Sequence, residues 1–234
     1  LITGIGCAYF DSTPILCITG QVNTFESKRG RKVRQIGFQE TDIVSMVTPL
    51  TKFAAQITEP TDIRYYLEKA IFIAKSGRPG PVLLDIPMDI QRAQIDPSKL
   101  RAFNRSEIEL DIDSPSEVKK KVKKAIELIK RAKRPVVIAG GGIRYADQQV
   151  MFEKLINILG FPVVATWSGI DVVYHGHPLY RGQIGVYGNR GANFTVQNSD
   201  CILSMGSRLD TRITGGKPET FGRAAKKIVV DIDR

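Results

Sequence analysis

Short apolar runs alternate along this chain with stretches whose apolar residues recur every third or fourth position, the mark of an α/β protein. Residues 15–19 form an apolar run ending in Gly20-Gln21, as a buried strand does. Residues 42–47 read as a short helix closed by Pro49. Ile63, Leu67, Ala70, Ile71 and Ala74 then share one helical face, with Thr61 placed to cap it. Gly77 ends that helix, and a glycine/proline turn leads into a strand over 81–86. Between Pro87 and Ser114 no period is sustained, which predicts an interdomain connection.

Ser114-Pro115-Ser116-Glu117 opens the next helix with a capping box and a proline at its first position. Val118, Val122, Ala125, Ile126 and Ile129 give that helix an apolar face, and lysines take the rest. Strands are expected at 135–139, 162–166, 201–205 and 227–232, with helices at 148–159 and 193–198. The expected architecture is α/β throughout. A first domain covers 1–98, a linker 99–114, and a doubly wound, Rossmann-like domain 115–234, which stops directly after a strand.

Composition narrows the function classes. Hydrophobic residues make up 42% and charged residues 25%, and no apolar run approaches the roughly 20 residues of a membrane span. No secretory leader is visible, so the expectation is a cytoplasmic protein without a membrane partner. The net charge of +10 gathers at residues 28–34 and 118–134, where no aromatic residues interleave, so a nucleic-acid partner is not expected. Cys7, Cys17 and Cys201 lack Cys-x-x-Cys spacing and read as buried free thiols. His175 and His177 fall in a glycine/proline loop, and no metal site is expected from them.

Candidate chemistry sits after strands. Gly140-Gly141-Gly142 suits close approach of backbone N–H groups to a phosphate, although any tight strand-to-helix turn favours glycine. Gly182, Gly185, Gly188 and Gly191 recur before a helix, as a ligand contact or a plain loop. Gly206-Ser207-Arg208-Leu209-Asp210-Thr211-Arg212 places two guanidinium groups and a carboxylate at a strand end, suited to phosphate, carboxylate or ribose. Asp231 ends the last strand. Surface ion pairs are the competing explanation for any one motif. Together they favour a nucleotide-like ligand.

Thr19-Gly20-Gln21-Val22, Gly37-Phe38-Gln39-Glu40-Thr41-Asp42 and Gly77-Arg78-Pro79-Gly80-Pro81 resemble the pyrimidine-binding domain of thiamine-diphosphate enzymes of the acetolactate synthase family. Ala192-Asn193, Ser199-Asp200 and the segment from Gly206 to Gly215 are similar to that family's central domain. The resemblance covers essentially the whole chain and implies an internal fragment: the C-terminal part of the first domain, then a central domain truncated at its C-terminus. It implies a carboligase that decarboxylates a pyruvate-like 2-oxo acid and joins the product to an acceptor carbonyl, of the kind used in branched-chain amino acid biosynthesis. Implied cofactors are thiamine diphosphate, Mg2+ and FAD. The activating glutamate and the magnesium ligands are expected outside the fragment, which alone should be inert. A homodimer or homotetramer, with a possible regulatory subunit, is the implied assembly.

By the same resemblance Phe38 shields the reacting centre, Gln39 hydrogen-bonds the bound substrate, and Arg212 pairs with a 2-oxo acid carboxylate. Arg78, Gly141, Thr166, Gly185, Gly206, Arg208, Asp210 and Asp231 match positions around FAD. Four departures stand out: Met88 where the family carries lysine, Asn23 where it carries proline, a basic insertion over about 24–34, and Thr211 in place of a second acid. All but the last point to an acceptor other than pyruvate, such as a sugar-derived carbonyl. Two readings compete: a simple 2-oxo acid decarboxylase or lyase of the same family, and a flavin- or nucleotide-binding scaffold without catalysis.

Overall fold

A computed structural model of the protein describes residues 1–28, 30–109 and 113–233. Arg29 of the basic run, residues 110–112 of the expected connection, and Arg234 lie outside them. The chain forms two compact units, Leu1–Ile112 and Asp113–Arg234.

The first unit contains α1 (Ile2–Phe10), β1 (Leu16–Gln21), α2 (Ile43–Val47), β2 (Phe53–Gln56), α3 (Ile63–Lys75), β3 (Val82–Pro87) and α4 (Met88–Arg92). Its three strands are parallel, in the order β1-β3-β2. The central strand β3 is apolar except for Asp85, because both of its faces are covered. Val82 and Leu84 pack with Ala70 and Ala74 of α3, while Leu83 packs with Ile5 of α1 and Val47 of α2. Thr61 does not cap α3. Residues Pro60–Asp62 form a short 3-10 turn that runs straight into the helix, and no side chain caps it. The far end is capped instead by Lys52, whose Nζ donates to the carbonyls of Ile73 and Ser76. Desolvation holds that ammonium's pKa below the usual lysine value.

Part of the stretch expected as a connection folds back on α3. The Arg101 guanidinium sits 3.9 Å from the centre of the Tyr65 ring, the Phe103 N–H donates to Glu68 (2.8 Å), and the Tyr65 hydroxyl donates to Glu107 (2.7 Å). Tyr65 is thereby buried on a face of α3 that the apolar period alone leaves polar.

The second unit runs α5 (Pro115–Arg131), β4 (Pro135–Ala139), α6 (Gly142–Tyr145), α7 (Gln149–Leu159), β5 (Val163–Ala165), β6 (Tyr180–Gln183), α8 (Arg190–Gln197), β7 (Cys201–Met205), α9 (Thr211–Thr214) and β8 (Lys226–Val230). All pairings are parallel, in the order β6-β5-β4-β7-β8. One face buries Val137, Leu203 and Val163 against Phe152 and Ile156 of α7. The other buries Val136, Ile138 and Ile202 against Ala192 and Val196 of α8. Successive strands move outward on one side of β4 and then jump to the other side, so the order reverses between β4 and β7. Open α/β sheets form a crevice outside the carboxyl ends at such a point.

Two expectations change. The capping box of α5 is present, with Ser114 and Glu117 exchanging bonds, yet its apolar face is not buried. Val118, Val122 and Ile126 remain 44–49% exposed, and Ile129 alone of that face packs against a core cluster. Cys17 and Cys201 are buried, and burial pushes both thiols up. Cys7, on the outer side of α1, is exposed. Among the described residues no helix is long and apolar enough to cross a membrane.

Candidate functional site

In the first unit the chemistry-bearing turn follows from how the strands end. Parallel register places Thr19, Asp85 and Gln56 side by side across the sheet, one row beyond the apolar Cys17, Leu83 and Ala54. Asp85 accepts from Thr19 Oγ1 (2.7 Å), Gln56 Nε2 (2.9 Å) and Gln21 Nε2 (3.3 Å). Gln21 reaches on to the Thr41 carbonyl (2.6 Å), which fixes the turn of residues 37–41. Gly37 is required there, since a Cβ would lie 2.8 Å from Val22 Cγ2. The turn presents Phe38, 82% exposed, and holds Gln39 in the left-handed region at φ 60°, where non-glycine residues carry strain.

Glu40 ties down the basic loop. Its carboxylate accepts from the Lys28 N–H (2.8 Å), the Ser27 hydroxyl (3.2 Å) and the Ile36 N–H (3.0 Å), gripping both ends. The Ile36 and then the Lys28 amide hold its pKa below the ordinary carboxylate value. The loop's base is fastened by Thr24, which donates from its N–H to Asp89 Oδ1 (3.0 Å) and from its hydroxyl to Oδ2 (2.5 Å). Met88 is the neighbour of Asp89 at the start of α4. Asn23 and the described part of the loop are thus tied to Glu40 and to the start of α4. Arg78 lies elsewhere: it precedes β3 at the opposite, amino edge of the sheet, and its Nε donates to Ser12 (2.9 Å).

In the second unit all five strands deliver their following residues to one edge. Gly140–Gly142 follow β4, Thr166 follows β5, Gly185 follows β6, Gly206–Asp210 follow β7 and Asp231 follows β8. These segments interlock. Gly142 N–H donates to Gly206 O (2.9 Å), Thr166 N–H to Ala139 O (2.9 Å), and Gly206 N–H to Val230 O (2.8 Å). A Cβ on Gly140 would sit 2.2 Å from Gly206 O, one on Gly141 2.8 Å from Ser168 O, and one on Gly185 2.6 Å from Arg212 O. The glycines first serve contacts between the chain's own loops. Asn193 clamps Gly185, accepting from its N–H (3.0 Å) and donating to its carbonyl (3.1 Å).

Arg208 and Asp210 pair at 3.2 Å, each side chain more than a third exposed. Asp210 also caps α9 by accepting from the Arg212 N–H (2.9 Å). Arg212 donates to the Tyr187 hydroxyl (2.8 Å), and Tyr187 meets Trp167 edge to face at 5.4 Å. Trp167 and Tyr187 are 61% and 64% exposed and lie outside the candidate residues that the sequence singles out. The signal for Trp167 was its place directly after a strand; Tyr187 gave none. An apolar pocket of about 320 Å3 beside α7, lined by Ile143, Met151, Leu155, Ile158 and Met205 among others, includes none of these motifs. His175 stacks on Tyr180, and His177 bonds Asn157.

A reversed parallel sheet of this order defines a doubly wound, Rossmann-like α/β domain, with guanidinium, carboxylate and aromatic groups along its carboxyl edge. Residues 122–234 match the family model described as thiamine pyrophosphate enzyme, central domain. Across its full length the chain is 36% identical to a protein named probable acetolactate synthase large subunit from Methanococcus aeolicus, covering 38% of that relative. It is 37% identical to the acetolactate synthase large subunit of Corynebacterium glutamicum, covering 36% of it. It is 33% identical to a protein named glyoxylate carboligase from Escherichia coli O157:H7, covering 37% of that relative. The chain thus spans little more than a third of the length of these relatives. It belongs to the thiamine-diphosphate-dependent enzymes of the acetolactate synthase family.

Proposed function

We propose that the whole protein is a thiamine-diphosphate-dependent carboligase, which releases CO2 from a pyruvate-like 2-oxo acid and joins the remaining acyl unit to an acceptor carbonyl. The observation that supports it most is that the Phe38–Gln39 turn and the Arg208–Arg212 loop each stand at the carboxyl edge of a parallel sheet, within a chain that matches acetolactate synthases from end to end. Thiamine diphosphate supplies the electron sink for decarboxylation when bound. The chain's own contributions are orientation, charge pairing and exclusion of water. Phe38, held outward by the turn, covers the reacting centre. Gln39 offers an amide to the substrate oxygen. Arg212, steadied by Tyr187, pairs with the 2-oxo acid carboxylate.

FAD fits the second unit's donor set: Arg208 for a diphosphate, Asp210 and Asp231 for ribose hydroxyls, and the faces of Trp167 and Tyr187 for a planar ring. Gly141, Thr166, Gly185 and Gly206 form the frame beneath them. Arg78, on the other unit's amino edge, enters this set by resemblance alone. Mg2+, a cytoplasmic location and a homodimeric or homotetrameric assembly belong to the same proposal.

The acceptor differs from pyruvate in this reading, because Asn23 and Met88 depart from the family's residues and the described part of the basic loop is fastened to Asp89 and Glu40. One of the relatives is named for a reaction other than acetolactate formation, glyoxylate carboligase. Full-length protein incubated with carbon-labelled pyruvate, thiamine diphosphate, Mg2+ and candidate carbonyl acceptors tests it. Label in a ligated product is expected. Free labelled aldehyde with no ligated product supports the simple decarboxylase instead, and no coenzyme-dependent turnover of any 2-oxo acid overturns both.

A further inference from the structure

Asp85 is 1% exposed, and the donors that reach it are neutral: the Thr19 hydroxyl and the amides of Gln21 and Gln56. Burying a carboxylate among neutral partners is expensive, and an apolar residue on the central strand would pack without that penalty. Stability alone does not account for it.

Its chemistry does something an apolar residue cannot. A carboxylate only accepts hydrogen bonds, so it dictates which end of each neighbouring amide faces it. Both glutamines must turn their NH2 groups towards Asp85. For Gln56 nothing further follows. For Gln21 the orientation sets two more bonds: Oε1 is left to accept the Val22 N–H (3.0 Å), and Nε2 donates to the Thr41 carbonyl (2.6 Å). A flipped amide would lose both, setting its oxygen against the Thr41 carbonyl and its NH2 group against the Val22 N–H. Val22 in turn is the residue against which Gly37 packs, so Gln21 and Val22 grip the turn at its two ends.

We propose that Asp85, acting through Gln21, is the positioning residue for the turn of residues 37–41, and so sets where Phe38 and Gln39 stand during the reaction. The relay runs from the central strand to a turn whose Gln39 backbone is strained at φ 60° and needs such a clamp. This rests on the proposal that those two side chains face the substrate.

Two near-isosteric variants of the full-length protein separate positioning from plain stability. Gln21→Met and Gln56→Met each remove one amide donor from Asp85 Oδ2, but only the first removes the bond to Thr41. Gln21→Met is expected to lower kcat for the 2-oxo acid by about tenfold to a hundredfold, with bound coenzyme unchanged, as displaced catalytic groups do. Amides of residues 37–41 should then exchange with solvent about tenfold faster. Gln56→Met should keep both within about twofold while lowering Tm as much as Gln21→Met does. Equal effects of the two variants on turnover and on exchange would overturn the proposal. If wild-type protein turns over no 2-oxo acid with thiamine diphosphate, the functional reading has failed by itself. The exchange measurement then decides the positioning claim: faster exchange in Gln21→Met alone upholds it, and equal exchange removes it.

Discussion

The two units bring chemistry to the carboxyl edge of a parallel sheet by opposite means. In the first unit side chains hold the working turn, through the Asp85 row, the Gln21 amide and the Glu40 clamp. In the second unit backbone holds it, through glycine segments that interlock so closely that a single Cβ on Gly140 would meet Gly206 O at 2.2 Å. A turn held by side chains can be retuned by substitution, and three of the four departures expected from the resemblance, Asn23, the basic loop and Met88, fall beside it, while the fourth, Thr211, falls in the second unit. A frame held by backbone leaves almost no room for a side chain at its glycines, and Trp167, Tyr187 and Arg208 project from it. The same sheet geometry therefore yields one adaptable edge and one rigid edge.

The largest expected effect breaks the rigid edge. Gly140→Ala should cost about 2–3 kcal/mol of stability, because the new methyl meets backbone that cannot move aside. Urea unfolding of the full-length protein measures it, and a change within about 0.5 kcal/mol would show that the loops do not interlock. Next, Arg212→Ala removes a charged contact worth about 1.5–3 kcal/mol, so KM for the 2-oxo acid should rise roughly tenfold or more with little change in kcat. An unchanged KM takes Arg212 out of substrate binding.

Smaller effects sharpen the description of the adaptable edge and its support. Lys52→Met leaves the last carbonyls of α3 without their donor and should cost about 1–2 kcal/mol, read as a fall in Tm. Glu40→Gln should leave global stability nearly unchanged while trypsin cleaves faster within residues 28–34. The pH dependence has a definite sign. The Glu40 pKa is depressed in the folded protein, so its grip is complete above the ordinary value near 4.5 and is lost as pH falls through the lower folded value. Protection of the Lys28 and Ile36 amides, taken relative to the intrinsic exchange rate at each pH, should fall over that range in the wild type and stay constant in Glu40→Gln.

The elements legible in the sequence were those whose signal is local. β4 is a continuous apolar run, β3 and β7 are apolar runs each broken by a single polar residue, Asp85 and Ser204, and α5 announces itself by its capping box. The elements missed have no such signal. β2 and β6 are short edge strands, Phe-Ala-Ala-Gln and Tyr-Arg-Gly-Gln, with every residue half-buried or exposed. α1 contains two glycines and little amphipathic contrast. Motif residues after strands were found because chain order places them there. The Asp85 row depends on strand register, and the Trp167–Tyr187–Arg212 group on loops from separate strands meeting, which spacing along the chain does not encode.

The central claim is that Gln39, on the first unit's edge, serves the substrate and Arg208, on the second unit's edge, the flavin. Release of labelled CO2 from carboxyl-labelled pyruvate, measured together with flavin content, tests it most directly in full-length wild type, Gln39→Ala and Arg208→Ala. The account predicts that Gln39→Ala loses most of its turnover and keeps its flavin, whereas Arg208→Ala loses flavin. Undiminished turnover in Gln39→Ala, or a wild-type protein that is colourless and indifferent to added FAD, would contradict it.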